Sequence, residues 1–407
     1  LAVASGQAAS AYAIQNIAKN GDNIVASAHL YGGTYNQFKN VFSDMGIEVR
    51  FVDPSDPQNF ANATDDKTRA YYGEVLPNPS FKVFPISEVA EIGRPLGIPL
   101  IVDNTAAPVI CKPFDHGAAI LIHSTTKFIG GHGTSIGGII VDSGNFDWEA
   151  FPERQPALNN PDPSYGGAIW TEAVKPLGPI AYILKARTTI LRDMGAAMSP
   201  FNAFMFIQGL ETLALRMREH SSNAEKVAEY LSNHDSVESV SYPSHMEGYA
   251  KERADKYLSK GNGGLMGFEI KGGIEAGKKF INALEMVYHV ANIGDSRSLA
   301  IHPGRTTHSQ LNEEELLAAG KVEDQSFLDV TSKKYVFWYP KETEPYTEFI
   351  LLLLLIKISG ANSSPFDKLM ISLSNKEIAV NLFPSVLTSN RLTPIKETND
   401  KSLNFFV

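Results

Sequence analysis

Strand-like and helical segments alternate along the first 144 residues, and this alternation constrains the fold more than any other feature. Apolar segments of strand length occupy residues 24–28, 49–52, 71–75, 100–102, 120–123 and 138–141. Helical patterns separate several of them, as in a parallel sheet that helices cover on both faces. Such sheets bind ligands at the carboxyl ends of their strands. The sequence therefore predicts an α/β fold with a large, mostly parallel sheet and a binding site at that end.

Four residues with useful chemistry follow predicted strands. They are Tyr31, Asn78, Asp103 and Lys127, so four strand ends would converge on one pocket. A lysine amine and a carboxylate in one pocket match the needs of pyridoxal phosphate. The aldehyde of that cofactor forms a Schiff base with the amine, and the carboxylate keeps its pyridine nitrogen protonated. Lys127 and Asp103 are the candidates for these two roles.

Groups that could bind a phosphate lie beside Lys127 and at the start of the chain. The hydroxyls of Ser124 and Thr126 come just before the lysine. Residues 6–20 have the apolar spacing of a helix, with Ser5 as the N-cap and Gly6 where a ligand can approach the backbone. Because free amides and the dipole at a helix N-terminus attract anions, this end could contribute to a phosphate site.

Two further side chains suit a flat ligand. Tyr31 precedes two glycines after a strand, where its ring could lie flat on a planar cofactor. Asn78 stands between two prolines, in a stiff turn from which its amide could hydrogen-bond a ligand oxygen.

Composition excludes several classes of partner. The formal net charge is −9 and basic residues do not cluster, so we expect no nucleic-acid partner. Cys111 is the only cysteine, which excludes an internal disulfide and a cysteine-based zinc cluster and favours a reducing compartment, the cytoplasm. The ten histidines show no ligand-like spacing, so no metal is expected. The apolar run at residues 349–356 is shorter than the about 20 residues that span a bilayer.

The character of the sequence changes after about residue 170. Helices are predicted at residues 180–192, 204–218, 223–231 and 275–284, with strands at 237–242, 265–270 and 287–292. We therefore expect a large domain over residues 1–170 and a smaller α/β domain over residues 171–320. Residues 321–407 have no sustained period and are left as an unassigned, poorly ordered tail.

Several motifs occur in an order that resembles the Cys/Met-metabolism family of pyridoxal-phosphate enzymes. They are SGQAA at residues 5–9, LYGGTYNQF at 30–38, VDNT at 102–105, HSTTKFIGGHGT at 123–134, QGLETL at 208–213 and NIGD at 292–295. The likeness runs from Leu1 to about Gly320 and is greatest to the O-acetylhomoserine sulfhydrylase (homocysteine synthase) branch. It implies the aspartate-aminotransferase-like fold (fold type I), a homotetramer, and pyridoxal phosphate as the cofactor.

The resemblance also implies a role for each motif residue. Lys127 would hold the cofactor and move protons, while Asp103 would pair with the ring nitrogen. Tyr31 would stack on the ring and help to activate the leaving group or the amine, and Asn78 would contact the ring hydroxyl. Gly6, Gln7, Ser124 and Thr126 would bind the phosphate, and Asn292 would line the substrate side. The implied reaction is replacement of the acetate of O-acetylhomoserine by sulfide or a thiol.

The chain departs from the family pattern at both ends. Members of the family have an N-terminal segment that comes before the point where this sequence starts. A tyrosine and an arginine of that segment reach the phosphate site of the neighbouring subunit. Without them, we expect the cofactor to bind more weakly and the contacts between subunits to be weaker. The family's last strand, which carries an arginine for the substrate carboxylate, is absent, and no arginine occurs between Arg305 and Arg391. Three hypotheses stay open: sulfhydrylation, the cystathionine γ-synthase or γ-lyase reaction of the same family, and an inactive truncated homologue.

Overall fold

The computed structural model describes residues 1–301 and the strand Lys334–Trp338. Its larger sheet has seven strands in the order β1-β7-β6-β5-β4-β2-β3. The bounds of these strands are β1 Ala2–Val3, β2 Asn23–Ser27, β3 Glu48–Val52, β4 Thr68–Glu74, β5 Leu100–Asp103, β6 Ile120–Ser124 and β7 Gly138–Asp142. The strands β2 to β6 are mutually parallel. The six strands expected from the sequence are therefore all present, and the prediction of an α/β fold is confirmed.

One strand of the large sheet has the opposite direction to that expected. The strand β7 runs antiparallel to β6, and the short β1 runs antiparallel to β7 at the edge. A parallel connection needs a crossover, usually a helix. The segment between β6 and β7 contains no helix and turns back on itself, so β7 returns alongside β6.

Eleven α-helices accompany the sheets in the described residues. They are α1 Gly6–Gln15, α2 Gly32–Asn36, α3 Gln58–Asn62, α4 Ile86–Gly93, α5 Pro156–Asn159, α6 Trp170–Ala173, α7 Ala181–Lys185, α8 Arg192–Met194, α9 Pro200–Ser232, α10 Gly248–Tyr257 and α11 Gly273–Asn282. Two π-helical segments, Gln37–Phe42 and Ala186–Leu191, continue α2 and α7. None of the described helices is long and apolar enough to cross a bilayer.

The helix α9 replaces two helices that were predicted separately. It runs unbroken for 33 residues, although the polar residues 219–222 interrupt the apolar pattern between the two predicted segments. His220 and Ser221 lie on its buried face, with only 1% and 7% of their surfaces exposed. The polar interruption is thus part of the packed face of one helix.

The smaller sheet has four antiparallel strands in the order β10-β11-β9-β8. Their bounds are β8 Val237–Ser241, β9 Leu265–Ile270, β10 Leu299–Ile301 and β11 Lys334–Trp338. The strand β11 comes from the segment left unassigned in the sequence and lies between β9 and β10. The rest of residues 321–407, including the apolar run, lies outside the described residues, and the domain boundaries stay predictions.

The strand expected at residues 287–292 does not form. Only an isolated bridge joins Tyr288 to Leu299. The amide of Val290 donates to the carbonyl of Tyr288, and the amide of Asn292 donates to that of Val290. These tight turns bend the chain toward the cavity described below, which an extended strand could not do.

Two apolar layers enclose the large sheet. Successive residues of its central strands pack on opposite sides, as Tyr71 and Tyr72 do in β4, because side chains alternate across a strand. Every residue of β2 and β4 is buried, as expected for central strands of a sheet that is covered on both faces. The buried sheet forms a fixed base from which the loops at its carboxyl end project.

Candidate functional site

A cavity of about 250 Å³ opens where the parallel strands of the large sheet end. It is lined by all nine residues that the sequence singled out, namely Gly6, Gln7, Tyr31, Asn78, Asp103, Ser124, Thr126, Lys127 and Asn292. They come from six separate stretches of the chain, and the loop containing Asn292 closes the cavity from the side of the smaller sheet. The expected convergence of strand ends on one pocket is thus present in the structure.

Lys127 lies in a tight turn immediately after β6. Its backbone amide donates to the carbonyl of Ser124 at 3.2 Å, and its carbonyl accepts from the amide of Gly131 at 2.8 Å. Its side chain enters the cavity, where Nζ donates to Oδ1 of Asn292 at 2.6 Å. Burial disfavours the ammonium form and lowers the pKa of Lys127. The site therefore contains an oriented amine that loses its proton more readily than a lysine in water.

Asp103 ends β5 at the wall of the same cavity. Its Oδ1 accepts a hydrogen bond from the amide of Thr105 at 2.8 Å. Burial outweighs this bond and raises the pKa of Asp103 to about 6. None of the ion pairs within residues 1–301 involves Asp103. A cationic ring nitrogen that entered the cavity would stabilise the ionised form of the Asp103 carboxyl group.

Glu74 is a further acidic residue of the cavity to which the sequence interpretation gave no role. It ends β4 directly beside Asp103 in the strand register, and only 8% of its surface is exposed. Both of its carboxylate oxygens accept from the backbone amide of Tyr31, at 2.9 and 3.0 Å. Burial and the neighbouring Asp103 raise the pKa of Glu74 well above its usual range. The only feature of the sequence that could have pointed to Glu74 is its position, because it is an acidic residue near the end of a predicted strand.

Tyr31 stands at the mouth of the cavity as the residue before α2. Its backbone is fixed by Glu74, and 42% of its surface is exposed. A Cβ on Gly33 would lie 2.5 Å from Cε1 of the Tyr31 ring, so the second glycine of the motif leaves room for the ring. Burial of the hydroxyl and the nearby Glu74 raise the pKa of Tyr31, which keeps the phenol protonated.

Asn78 lines the cavity with an unsatisfied acceptor. Only 8% of its surface is exposed. Its Oδ1 is buried and has no hydrogen-bond partner in the described part of the chain. Because an unpaired buried polar atom costs free energy, this amide is arranged for a group that enters from outside.

The predicted anion site is built from α1 and from the turn that carries Lys127. Ser5 caps α1, since its Oγ accepts from the amide of Ala8 at 3.0 Å. A Cβ on Gly6 would lie only 2.7 Å from Cβ of Ser124, so glycine is what allows the helix start to approach the turn. The N-terminal amides of α1 and the Ser124 side chain thus line one part of the cavity.

Two of the predicted phosphate ligands are already engaged with the protein. The side-chain amide of Gln7 donates to the carbonyl of Gly33 at 3.0 Å, so Gln7 ties α1 to α2. The hydroxyl of Thr126 accepts from the amide of Gly137 at 3.1 Å. Because the side chain of Gln7 is occupied, its backbone amide at the start of α1 is the group that could bind an anion.

Comparisons with known proteins identify the family of the chain. The family model described as Cys/Met metabolism PLP-dependent enzyme matches residues 1–326. The O-acetyl-L-homoserine sulfhydrylase of Leptospira meyeri is 50% identical over 327 residues, which are 79% of this chain and 74% of the relative. The homocysteine synthase of Schizosaccharomyces pombe is 44% identical over 80% of this chain and 75% of its own.

A solved structure shares the fold as well as the sequence pattern. The putative O-acetylhomoserine (thiol)-lyase of Campylobacter jejuni superposes with a TM-score of 0.81 at 36% identity, covering 88% of this chain and 82% of that one. That structure contains N'-pyridoxyl-lysine-5'-monophosphate.

Proposed function

Because the chain belongs to the Cys/Met metabolism family of PLP-dependent enzymes, we propose that it uses pyridoxal phosphate to convert O-acetyl-L-homoserine and sulfide, or a thiol, into homocysteine or its thioether, with release of acetate. The relatives named as O-acetylhomoserine sulfhydrylases and homocysteine synthases support this substrate. The observation that carries the proposal is structural: an amine and a carboxyl group, those of Lys127 and Asp103, line one cavity.

The residues of the cavity fit the cofactor. Lys127 would attach it covalently, and Asp103 would pair with its ring nitrogen. Asn78, whose Oδ1 lacks a partner in the described residues, would accept a hydrogen bond from the ring hydroxyl. The start of α1 at Gly6 and Gln7, together with the hydroxyls of Ser124 and Thr126, would bind the phosphate. When bound, the cofactor supplies an electron-accepting ring that stabilises negative charge on the substrate.

Lys127 then acts as the base and acid of the reaction. When it is not attached to the cofactor, its Nζ would take the proton from the α-carbon of the substrate and carry protons between neighbouring carbons. The lowered pKa of Lys127 favours the neutral amine that this role requires. Asn292, which accepts from Nζ at 2.6 Å, orients the amine and lines the substrate side.

Tyr31 assists at the mouth of the cavity. Its ring would cover one face of the cofactor, and its hydroxyl, whose pKa is raised, retains a proton that it can donate. Donation to the departing acetate would ease cleavage of the bond between oxygen and the γ-carbon. Sulfide or a thiol then adds at that carbon.

The experiment is a turnover assay on the full chain loaded with pyridoxal phosphate. With O-acetyl-L-homoserine and sulfide, we expect homocysteine and acetate in equal amounts. Lys127→Ala is expected to reduce the rate to background, whereas Lys112→Ala, at an exposed lysine, is expected to leave it unchanged. Turnover of succinylated homoserine or cystathionine instead would indicate the γ-synthase or γ-lyase reaction. A folded, loaded chain inactive on every substrate would be an inactive homologue.

We also propose self-association and a cytoplasmic location. Exposed apolar residues on α9, among them Phe201, Phe204 and Ile207, support contact with further copies of the chain. The single cysteine, Cys111, is buried and free, which agrees with a reducing compartment. Light scattering of the purified chain tests the first proposal, and cell fractionation tests the second.

A further inference from the structure

A buried arginine from the helix α9 contacts the turn that follows Lys127. Only 8% of the surface of Arg216 is exposed. Its guanidinium donates to the carbonyl of Phe128 at 2.6 Å and to that of Ile129 at 3.2 Å. The same group donates to the carbonyl of Gly209 at 2.7 Å, within α9 itself. One side chain therefore joins the catalytic turn to the long helix.

The partners of Arg216 are unusual for a buried cation. Within residues 1–301 its hydrogen bonds go to three carbonyls and the hydroxyl of Thr212, and no carboxylate forms an ion pair with it. A buried charge without a counter-charge is costly, so an apolar residue would pack here at a lower cost. What the guanidinium provides is a planar set of donors that fixes several carbonyls at once.

The opposite side of the turn is held by the loop that carries Asn292. A Cβ on Gly294 would lie 2.3 Å from the amide nitrogen of Phe128, so the two backbones are in direct contact. The amide of Ser296 donates to the carbonyl of Gly131 at 2.7 Å. The turn is thus held between α9 and the loop, and Lys127 Nζ meets Asn292 within that arrangement.

We propose that Arg216 is a positioning residue: by fixing the carbonyls of Phe128 and Ile129, it sets where Lys127 Nζ stands in the cavity. The inference deepens the proposed function, because it concerns the lysine on which that function rests. It makes a separate claim, since the position of Nζ can be measured without cofactor or substrate.

The first test uses the cofactor-free chain. The pH dependence of acetylation of Lys127 by a limiting amount of acetic anhydride, read by peptide mass spectrometry, gives the titration midpoint of its amine. In Arg216→Met we expect this midpoint to rise toward that of an exposed lysine, because the loosened turn admits water to Nζ. Arg218→Met is the matched control, since Arg218 lies on the same helix with 69% of its side chain exposed, and its midpoint is expected to equal that of the wild type.

The second test measures the rate at which pyridoxal phosphate attaches to Lys127, fixed by borohydride at successive times. A displaced amine should react about 10- to 100-fold more slowly in Arg216→Met. Arg216→Lys keeps the positive charge but loses the planar set of donors, and it replaces Arg216→Met in both tests if the methionine variant does not fold. We expect the titration midpoint and the attachment rate of Lys127 to change in the same direction in both variants. A folded variant of either kind with the wild-type midpoint and attachment rate overturns the inference. If the wild-type chain has no sulfhydrylase activity but the titration midpoint of Lys127 still changes in Arg216→Met, the proposed function is refuted and the positioning role of Arg216 is not.

Discussion

Glu74 and Asp103 stand side by side at the ends of two neighbouring parallel strands, paired in register, and both face the same cavity. Two buried acids this close cannot both ionise without cost. In the proposed function only one of them has a task toward the cofactor, since Asp103 would pair with the ring nitrogen. The other, Glu74, binds the backbone amide of Tyr31 through both oxygens, so the pair links the floor of the cavity to the aromatic residue at its mouth.

This pair should make the cofactor-free protein less stable as the pH rises. The pKa of Asp103 is raised from 3.8 to about 6, and that of Glu74 is raised as well. Above the ordinary values the unfolded chain has released protons that the folded protein still holds, so the free energy of unfolding falls with pH through this window. Glu74→Gln removes one of the two titrations and should flatten the fall of the thermal midpoint as the pH rises above 4.5, the ordinary pKa of a glutamate. Glu91→Gln, at an exposed site, is the control, and an equal slope in both variants would contradict the account.

Substitution of Asp103 by Asn should separate cofactor attachment from catalysis. The amide keeps the size of the side chain but removes the charge that, in the proposed function, would hold the ring nitrogen protonated. We expect turnover to fall by about 100-fold or more, since preorganised electrostatic groups contribute at least that much. Attachment of pyridoxal phosphate to Lys127 should persist. Asp115→Asn, at an exposed aspartate, is expected to retain full activity, and near-normal turnover in Asp103→Asn would remove Asp103 from the mechanism.

Gly6→Ala should weaken the binding of the cofactor phosphate. The added Cβ would lie 2.7 Å from Cβ of Ser124 and push the start of α1 away from the turn. Loss of a charge-assisted contact worth about 1.5–3 kcal/mol corresponds to about 10- to 150-fold in affinity. Titration with pyridoxal, which lacks the phosphate, provides the comparison: its affinity should change much less. An equal loss for both ligands would show that α1 does not bind the phosphate.

Asn78→Ala should affect the loaded protein more than the cofactor-free one. In the absence of the cofactor, Oδ1 of Asn78 has no partner among the described residues, so its removal costs little. With the cofactor bound, the variant would lack the proposed hydrogen bond from the ring hydroxyl to Oδ1. We therefore expect a nearly unchanged thermal midpoint without pyridoxal phosphate and a smaller rise on its addition. The same rise as in the wild type would mean that Asn78 does not contact the cofactor.

The sequence predicted the parts of the fold that follow from local pattern. The buried strands of the large sheet and the polar residues after them could be found because apolar runs and strand ends are visible in the chain. The direction of β7 could not, because it depends on how the turn at Lys127 folds. The unbroken course of α9 was also missed, since the burial of His220 and Ser221 depends on what packs against the helix.

The cavity was predicted in outline and incompletely in chemistry. Motifs identified Lys127 and Asp103, but the sequence shows neither that Glu74 lies beside Asp103 nor that it holds Tyr31. Arg216 is the clearest case, because a residue 89 positions after Lys127 reaches the turn only through tertiary packing. Groups that support a catalytic residue from a distant helix leave little local signal.

The most direct test of the account is the site of cofactor attachment. The full chain, incubated with pyridoxal phosphate and reduced with borohydride, would be digested and its modified peptide sequenced by mass spectrometry. The account predicts a single modified residue, Lys127, and loss of the label in Lys127→Ala. A folded chain that carries the label on another lysine, or takes up none, would contradict the assignment of Lys127.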